Sequence, residues 1–236
     1  MKKLAIFVEG QTEQIFIEKL ILEIAGRNHI QIDSRKASGG ANGTPRITTL
    51  IRSHAPIDTA NFYVLIFDCG TDNRVASDIK DRYDGLASNG YQAIIGIRDV
   101  FPDFKASEIP ELRRLIGYGI PTKPINPVYI FGVMEIESWF IGEISHYEKI
   151  HNTLTLERIQ TSTGFNPATH DLEALSNPAH VLDTIYALAG FRYTKSRRNV
   201  ERTIETLDYA NIYLQLGSRF TDLDKLNRII TEFITY

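Results

Sequence analysis

Glu9, Asp68, Asp99 and Glu135 each follow directly on an apolar run with strand character, the runs being residues 3–8, 62–67, 92–98 and 128–134. If those runs are parallel strands, residues just past them gather at the carboxyl edge of the sheet, where open α/β sheets bind their ligands. Carboxylates held close together repel and shift each other's ionisation, a cost that a bound cation offsets. Oxygen donors without Cys or His select Mg²⁺ or Mn²⁺, ions that work with phosphate groups. The predicted chemistry is therefore on phosphate esters. A single acid of this kind reads as a helix N-cap, which is where strand-to-helix turns place Asp and its relatives. The repetition at strand after strand favours a site.

Two further acids sharpen the corners. Glu13 lies one helical turn beyond Glu9, so both carboxylates can face one ion; the plainer reading is a first-turn acid on the helix dipole. Glu135 and Glu137 share a face if the strand continues through Ile136, whereas Glu137 is a first-turn acid if a helix begins at once. Arg192, Lys195, Arg197, Arg198 and Arg202, with Tyr193 among them, form a basic cluster that could grip a phosphate backbone. Glu201 and Glu205 balance it, which is the pattern of a solvated helix start. The loop at 38–43 leads to Thr44-Pro45, read as N-cap and first residue of a helix to about His54, and could hold an anion there. It lacks the glycine–lysine pattern of a nucleoside triphosphate loop.

The elements that must position these residues follow from periodicity. A broad apolar face at 11–25 suits a helix packed on a sheet. Residues 29–33 form a weak second strand, 74–88 a polar helix closed by Asn89-Gly90, and 108–115 a short helix. Strands alternating with helices predict right-handed crossovers and a mostly parallel, Rossmann-like sheet of four or five strands with helices on both faces. Beyond 144 only helical patterns remain, at 156–160, 178–189, 199–208 and 222–233, so an α/β domain at 1–143 precedes a helical extension at 144–236.

Composition sets the outer limits. With 43% hydrophobic and 23% charged residues, 236 residues can build one or two packed domains. One cysteine, Cys69, permits no internal disulfide, and it reads as a small residue packed under a strand end. The six histidines show no zinc or triad spacing. No apolar run suits a signal peptide or a membrane span, so a cytoplasmic protein without membrane partners is expected. A net charge of −3 confines nucleic-acid contact to a local or metal-mediated surface. Trp139, the lone tryptophan, is expected to pack the helix after Glu135 on the sheet.

The run Ile6-Phe7-Val8-Glu9-Gly10-Gln11-Thr12-Glu13, the strand ending in Asp68, and Glu135-x-Glu137-Ser138-Trp139 together resemble the Toprim domain. That domain is shared by primases, type IA and type II topoisomerases, RecR proteins and OLD-family nucleases. The similarity is greatest to small stand-alone Toprim-like bacterial proteins of phage-defence or mobile-element loci, and it covers residues 3–142 with a looser echo in Tyr193-x-Lys195. The resemblance implies a Mg²⁺- or Mn²⁺-dependent nuclease acting on DNA or RNA, an effector in antiviral defence. A partner protein of the same system and a homodimer are compatible with it. It makes Glu9, Glu13 and Asp68 catalytic, and Glu9, Asp68, Asp72, Asp99, Glu135 and Glu137 metal ligands. The family's D-x-D falls on Asp68-Cys69-Gly70, so its second aspartate is missing, and Asp72 or Asp99 would have to replace it. That departure supports the rival reading, a non-catalytic Toprim module that binds nucleic acid or a partner subunit.

Overall fold

The computed structural model describes residues 1–26, 29–40, 44–56, 59–71, 74–101 and 103–235. In chain order the elements are β1 (Lys2–Val8), α1 (Gln11–Ala25), β2 (Ile30–Ser38), β3 (Ile47–His54), β4 (Phe62–Asp68), α2 (Val75–Ser88), β5 (Ala93–Asp99), α3 (Ile109–Leu115) and β6 (Val128–Gly132). Helices follow: α4 (Glu137–Gly142), α5 (His146–Ile150), α6 (Leu156–Thr163), α7 (Pro178–Ala187), α8 (Arg197–Thr206), α9 (Tyr209–Leu214) and α10 (Thr221–Thr235). The six strands form one sheet in the order β3-β2-β4-β1-β5-β6. β1 pairs in parallel with β4 and β5, β2 pairs in parallel with β4, and β3 is antiparallel to its neighbour β2. The chain is thus an α/β protein with a mostly parallel, Rossmann-like sheet.

Strand alternation decides which residues meet which helix. Register aligns Lys3, Ala5 and Phe7 of β1 with Tyr63, Leu65 and Phe67 of β4, and Gln31, Asp33 and Arg35 of β2 with the same β4 residues. On this face Ala5, Phe7, Phe67 and Ile94 pack against Val75, Ile79, Tyr83 and Leu86 of α2. Ser34, on the opposite face, donates to Glu18 of α1 at 2.7 Å, so α1 covers the other side. Its buried Phe16, Ile17, Leu20 and Ile21 account for the broad apolar stripe in the sequence. Each such side chain contributes roughly 1.5–3 kcal/mol on leaving water.

Four expectations change. The helix read at 44–54 is strand β3: Ile47, Thr48, Thr49 and Ile51 are β-branched, and the segment pairs antiparallel with β2 instead of beginning a crossover. Gly39 and Gly40 adopt left-handed conformations in the connection, and a side chain on Gly39 would sit 2.3 Å from the Pro45 carbonyl oxygen. The hairpin also lengthens β2 to Ser38, past the expected end at Asp33, with a register shift at Ser34/Arg35. Six strands therefore replace the four or five anticipated. β6 stops at Gly132 because Met134 turns the chain with a φ of 59°.

The chain separates into two compact units, discontinuous in sequence. The first comprises residues 1–98, 110–130 and 228–236, the second 99–109 and 131–227. The boundary expected at 143/144 falls inside the second unit. Among the described residues no helix is long and apolar enough to cross a membrane.

Candidate metal centre

The second unit holds the strand-end acids that converge. Asp99, the last residue of β5, together with Glu135 and Glu137 offers carboxylate oxygens within 4.8 Å of one another, the one such group of three among the described residues. All three side chains are buried, Glu137 completely. Local chain geometry brings them there. Met134, left-handed, accepts the Phe101 amide N–H at its carbonyl at 2.8 Å and re-aims the chain at Glu135. A non-glycine residue held left-handed costs about 1–2 kcal/mol, here tolerated at an acidic corner. α4 then begins immediately at Glu137, satisfying the condition under which the sequence would make it an ordinary first-turn acid. It is nevertheless a member of the cluster, because the turn before α4 supplies the convergence that a continued strand would have supplied.

Each carboxylate is fixed by named donors. Asp99 Oδ1 accepts the Ile136 amide at 2.9 Å. Glu135 Oε2 accepts the Ala179 amide at 2.9 Å in the first turn of α7, where the exposed N–H groups of a helix start favour an anion. Glu137 Oε1 accepts the Tyr193 hydroxyl at 2.9 Å, while its Oε2, buried, accepts no hydrogen bond. Into this corner reaches the Lys195 ammonium, 3.0 Å from Glu135 Oε1, 3.6 Å from Glu137 Oε2 and 3.9 Å from Asp99 Oδ2. Burial pushes the Glu137 carboxyl above the usual range and Glu135 adds to the rise, with Lys195 and the Tyr193 hydroxyl opposing it.

The other predicted acids belong to the first unit. Glu9 follows β1 and lies 3.5 Å from Arg98 Nε, and Glu13 is buried in the first turn of α1. Asp68 ends β4; its Oδ1 accepts the Gly70 amide at 2.8 Å and its Oδ2 stands 3.2 Å from Lys36 Nζ. This is a strand-end turn clasp of the kind expected for a structural aspartate. Asp72 lies outside the described residues.

The basic cluster of the second unit is largely engaged. Arg192 grips Asp183 through two 2.8 Å bonds, and its carbonyl accepts from Arg202. Arg197 pairs with Glu201 at 2.8 Å, Lys195 with the acids, and Arg198 is exposed. Sequence reading assigned Tyr193 and Lys195 to nucleic acid; their placement at Glu137 and Glu135 spans 56 and 60 residues. The sole sequence signal for that was the Tyr193-x-Lys195 echo. Two contributors were missed. Arg98, a charge at the end of a buried strand, was visible as an anomaly, whereas the α7 amide on Glu135 had no sequence signal beyond the Asn177-Pro178 helix start.

These observations define a Rossmann-like α/β protein with a buried carboxylate corner at a strand end. No family model, curated protein or solved structure matches the chain.

Proposed function

We propose that the protein is a divalent-metal-dependent phosphodiesterase of Toprim type, acting on DNA or RNA, with Asp99, Glu135 and Glu137 as its metal-holding carboxylates. The observation that carries the reading is the buried, all-oxygen convergence of these three groups, with Glu137 Oε2 lacking a hydrogen bond. That donor set suits Mg²⁺ or Mn²⁺. When bound, such an ion supplies an activated water and neutralises charge on the scissile phosphate. The chain's own groups prepare the corner: the Ile136 and Ala179 amides orient Asp99 and Glu135, and the Tyr193 hydroxyl holds Glu137. The Lys195 side chain, 47% exposed, keeps a positive charge beside any anionic ester that enters. The resemblance alone supports catalytic parts for Glu9, Glu13 and Asp68, an effector role in phage defence, and a partner protein from such a system.

The test is incubation of the purified chain with plasmid, single-stranded DNA and total tRNA in Mg²⁺, Mn²⁺ or EDTA, beside Glu135→Gln and Glu137→Gln. Cleavage that needs metal and disappears in both variants supports the proposal and names the substrate class. A second reading, a non-catalytic binding module, is favoured by Lys195, which already neutralises part of the acidic charge. Absence of cleavage, together with Trp139 fluorescence indifferent to Mn²⁺, would decide for that reading.

A further inference from the structure

The first unit carries a second feature independent of the acidic corner. α2 covers only part of its face of the sheet, and beside it lies a cavity of about 670 Å³. Its character comes from β2, whose residues alternate: Ile30 and Ile32 are buried, while Gln31, Asp33 and Arg35 share the α2 face with Tyr63. Lys3, Arg35, Tyr63, Phe67, Arg82 and Tyr91 line the cavity.

Three cations and three rings are thus assembled in one concave site, with Asp81 the one acid lining it. Tyr63 and Tyr91 meet edge to face at 6.2 Å, Lys3 Nζ is 5.9 Å from the Tyr91 ring centre, and the Arg82 guanidinium lies over Phe67 at 4.2 Å. Asp33, on the same face, sets the arrangement. It accepts the Tyr63 hydroxyl at 3.0 Å and the Ser53 hydroxyl at 2.8 Å, and stands 3.6 Å from Arg35. Arg82 is braced by Thr48 at 3.1 Å and Lys3 by the Asn89 carbonyl at 2.9 Å, so the cations are held in place by the fold.

The chemistry of an occupant follows by elimination. An apolar ligand would offer the three cations no further counter-charge while taking them from water. A lone oxyanion would leave most of the volume and all of the ring surface unused. A base stacked on aromatic side chains with its phosphate among Arg and Lys answers both, the combination by which open sheet faces take up single-stranded nucleic acid. We propose that this groove binds a nucleotide unit, its base against Tyr63 and Tyr91 and its phosphate among Arg35, Arg82 and Lys3.

The unit can come from a free mononucleotide or from a single strand, and calorimetric titration of the intact chain with 5′-AMP, with short oligothymidylate and with inorganic phosphate separates the two. Saturable binding of 5′-AMP with no gain for the oligomer assigns a free nucleotide; tighter binding of the oligomer, weakening as salt rises, assigns a strand. In either case Tyr91→Leu and Arg35→Gln, each checked for native circular dichroism and melting, should weaken binding about tenfold. Arg82→Gln serves as a further variant should either misfold. Binding of 5′-AMP should be the same in EDTA as in Mg²⁺, so failure of the metal centre and failure of this groove are told apart. The proposal is overturned if neither nucleotide ligand saturates, if inorganic phosphate binds as tightly as 5′-AMP, or if folded variants bind undiminished.

Discussion

Lys195 Nζ stands 3.0 Å from Glu135 Oε1, and within 4 Å of both other carboxylates of the cluster, so one half-exposed ammonium faces three buried acids. Replacing it by an uncharged residue of similar length leaves those acids facing each other. Lys195→Met is expected to lose about 1–2 kcal/mol of stability without divalent ions, a figure discounted for the exposure of the lysine head. Mg²⁺ or Mn²⁺ should restore more of the melting temperature in this variant than in the parent. Thermal melts with and without the ions check it; no ion-induced shift in either protein would show that the corner takes no cation.

The position of Asp99 depends on a neighbour with no side chain. A Cβ on Gly132 would sit 2.5 Å from Asp99 Oδ1, which it would push aside, and 2.8 Å from the Ile136 nitrogen, a backbone contact that cannot yield. Gly132→Ala should therefore cost about 1–3 kcal/mol and abolish Mn²⁺ quenching of Trp139 fluorescence. Gly85→Ala provides the contrast. That glycine lies inside α2 with open space around its missing Cβ, and the change should stabilise by about 0.5–1 kcal/mol. Paired denaturant titrations of the two variants give the comparison.

His146 makes the stability of the protein acid-sensitive. It is fully buried against the Tyr147 and Tyr186 rings, with Nδ1 at the Glu143 carbonyl. Burial pushes its ring down to about 4 from the ordinary 6.5. Between those values the unfolded chain binds the extra proton and the native state does not, so stability present above pH 6.5 declines as pH falls towards 4. The loss is on the order of 3 kcal/mol. Denaturation at a series of pH values, with the His146 ring followed by NMR, tests this; a ring that titrates near 6.5 in the native protein would refute it.

Cys69 should behave as packing and not as a reactive group. It is 3% exposed, its thiol approaches the Phe67 carbonyl at 3.8 Å, and burial pushes its ionisation upward, with Asp78 adding to the rise. A soluble aromatic disulfide reagent is expected to leave the native thiol untouched and to modify it fully in denaturant. Rapid modification of the native protein would contradict this placement.

The sequence by itself determined the central strands and the acids at their ends. Residues 62–67 read as a strand because a continuous run of β-branched and aromatic residues fits a pleated sheet, although Tyr63 and Leu65 stay half-buried beside the groove. The positions of Glu9, Asp68 and Asp99 followed from where such runs stop. Tertiary structure decided what local pattern cannot carry. β3 is exposed along nearly its whole length and is defined by pairing with β2, so no burial period marked it in the sequence. Glu137 reached the cluster through the left-handed turn at Met134, although its helix begins where a bland acid would have begun one. Tyr193 and Lys195 meet Glu137 and Glu135 only because α7 and the chain beyond it fold back over 56 and 60 residues. Such contacts are chosen by the closing of long loops around a shared core, and propensity over a short window contains no record of that choice.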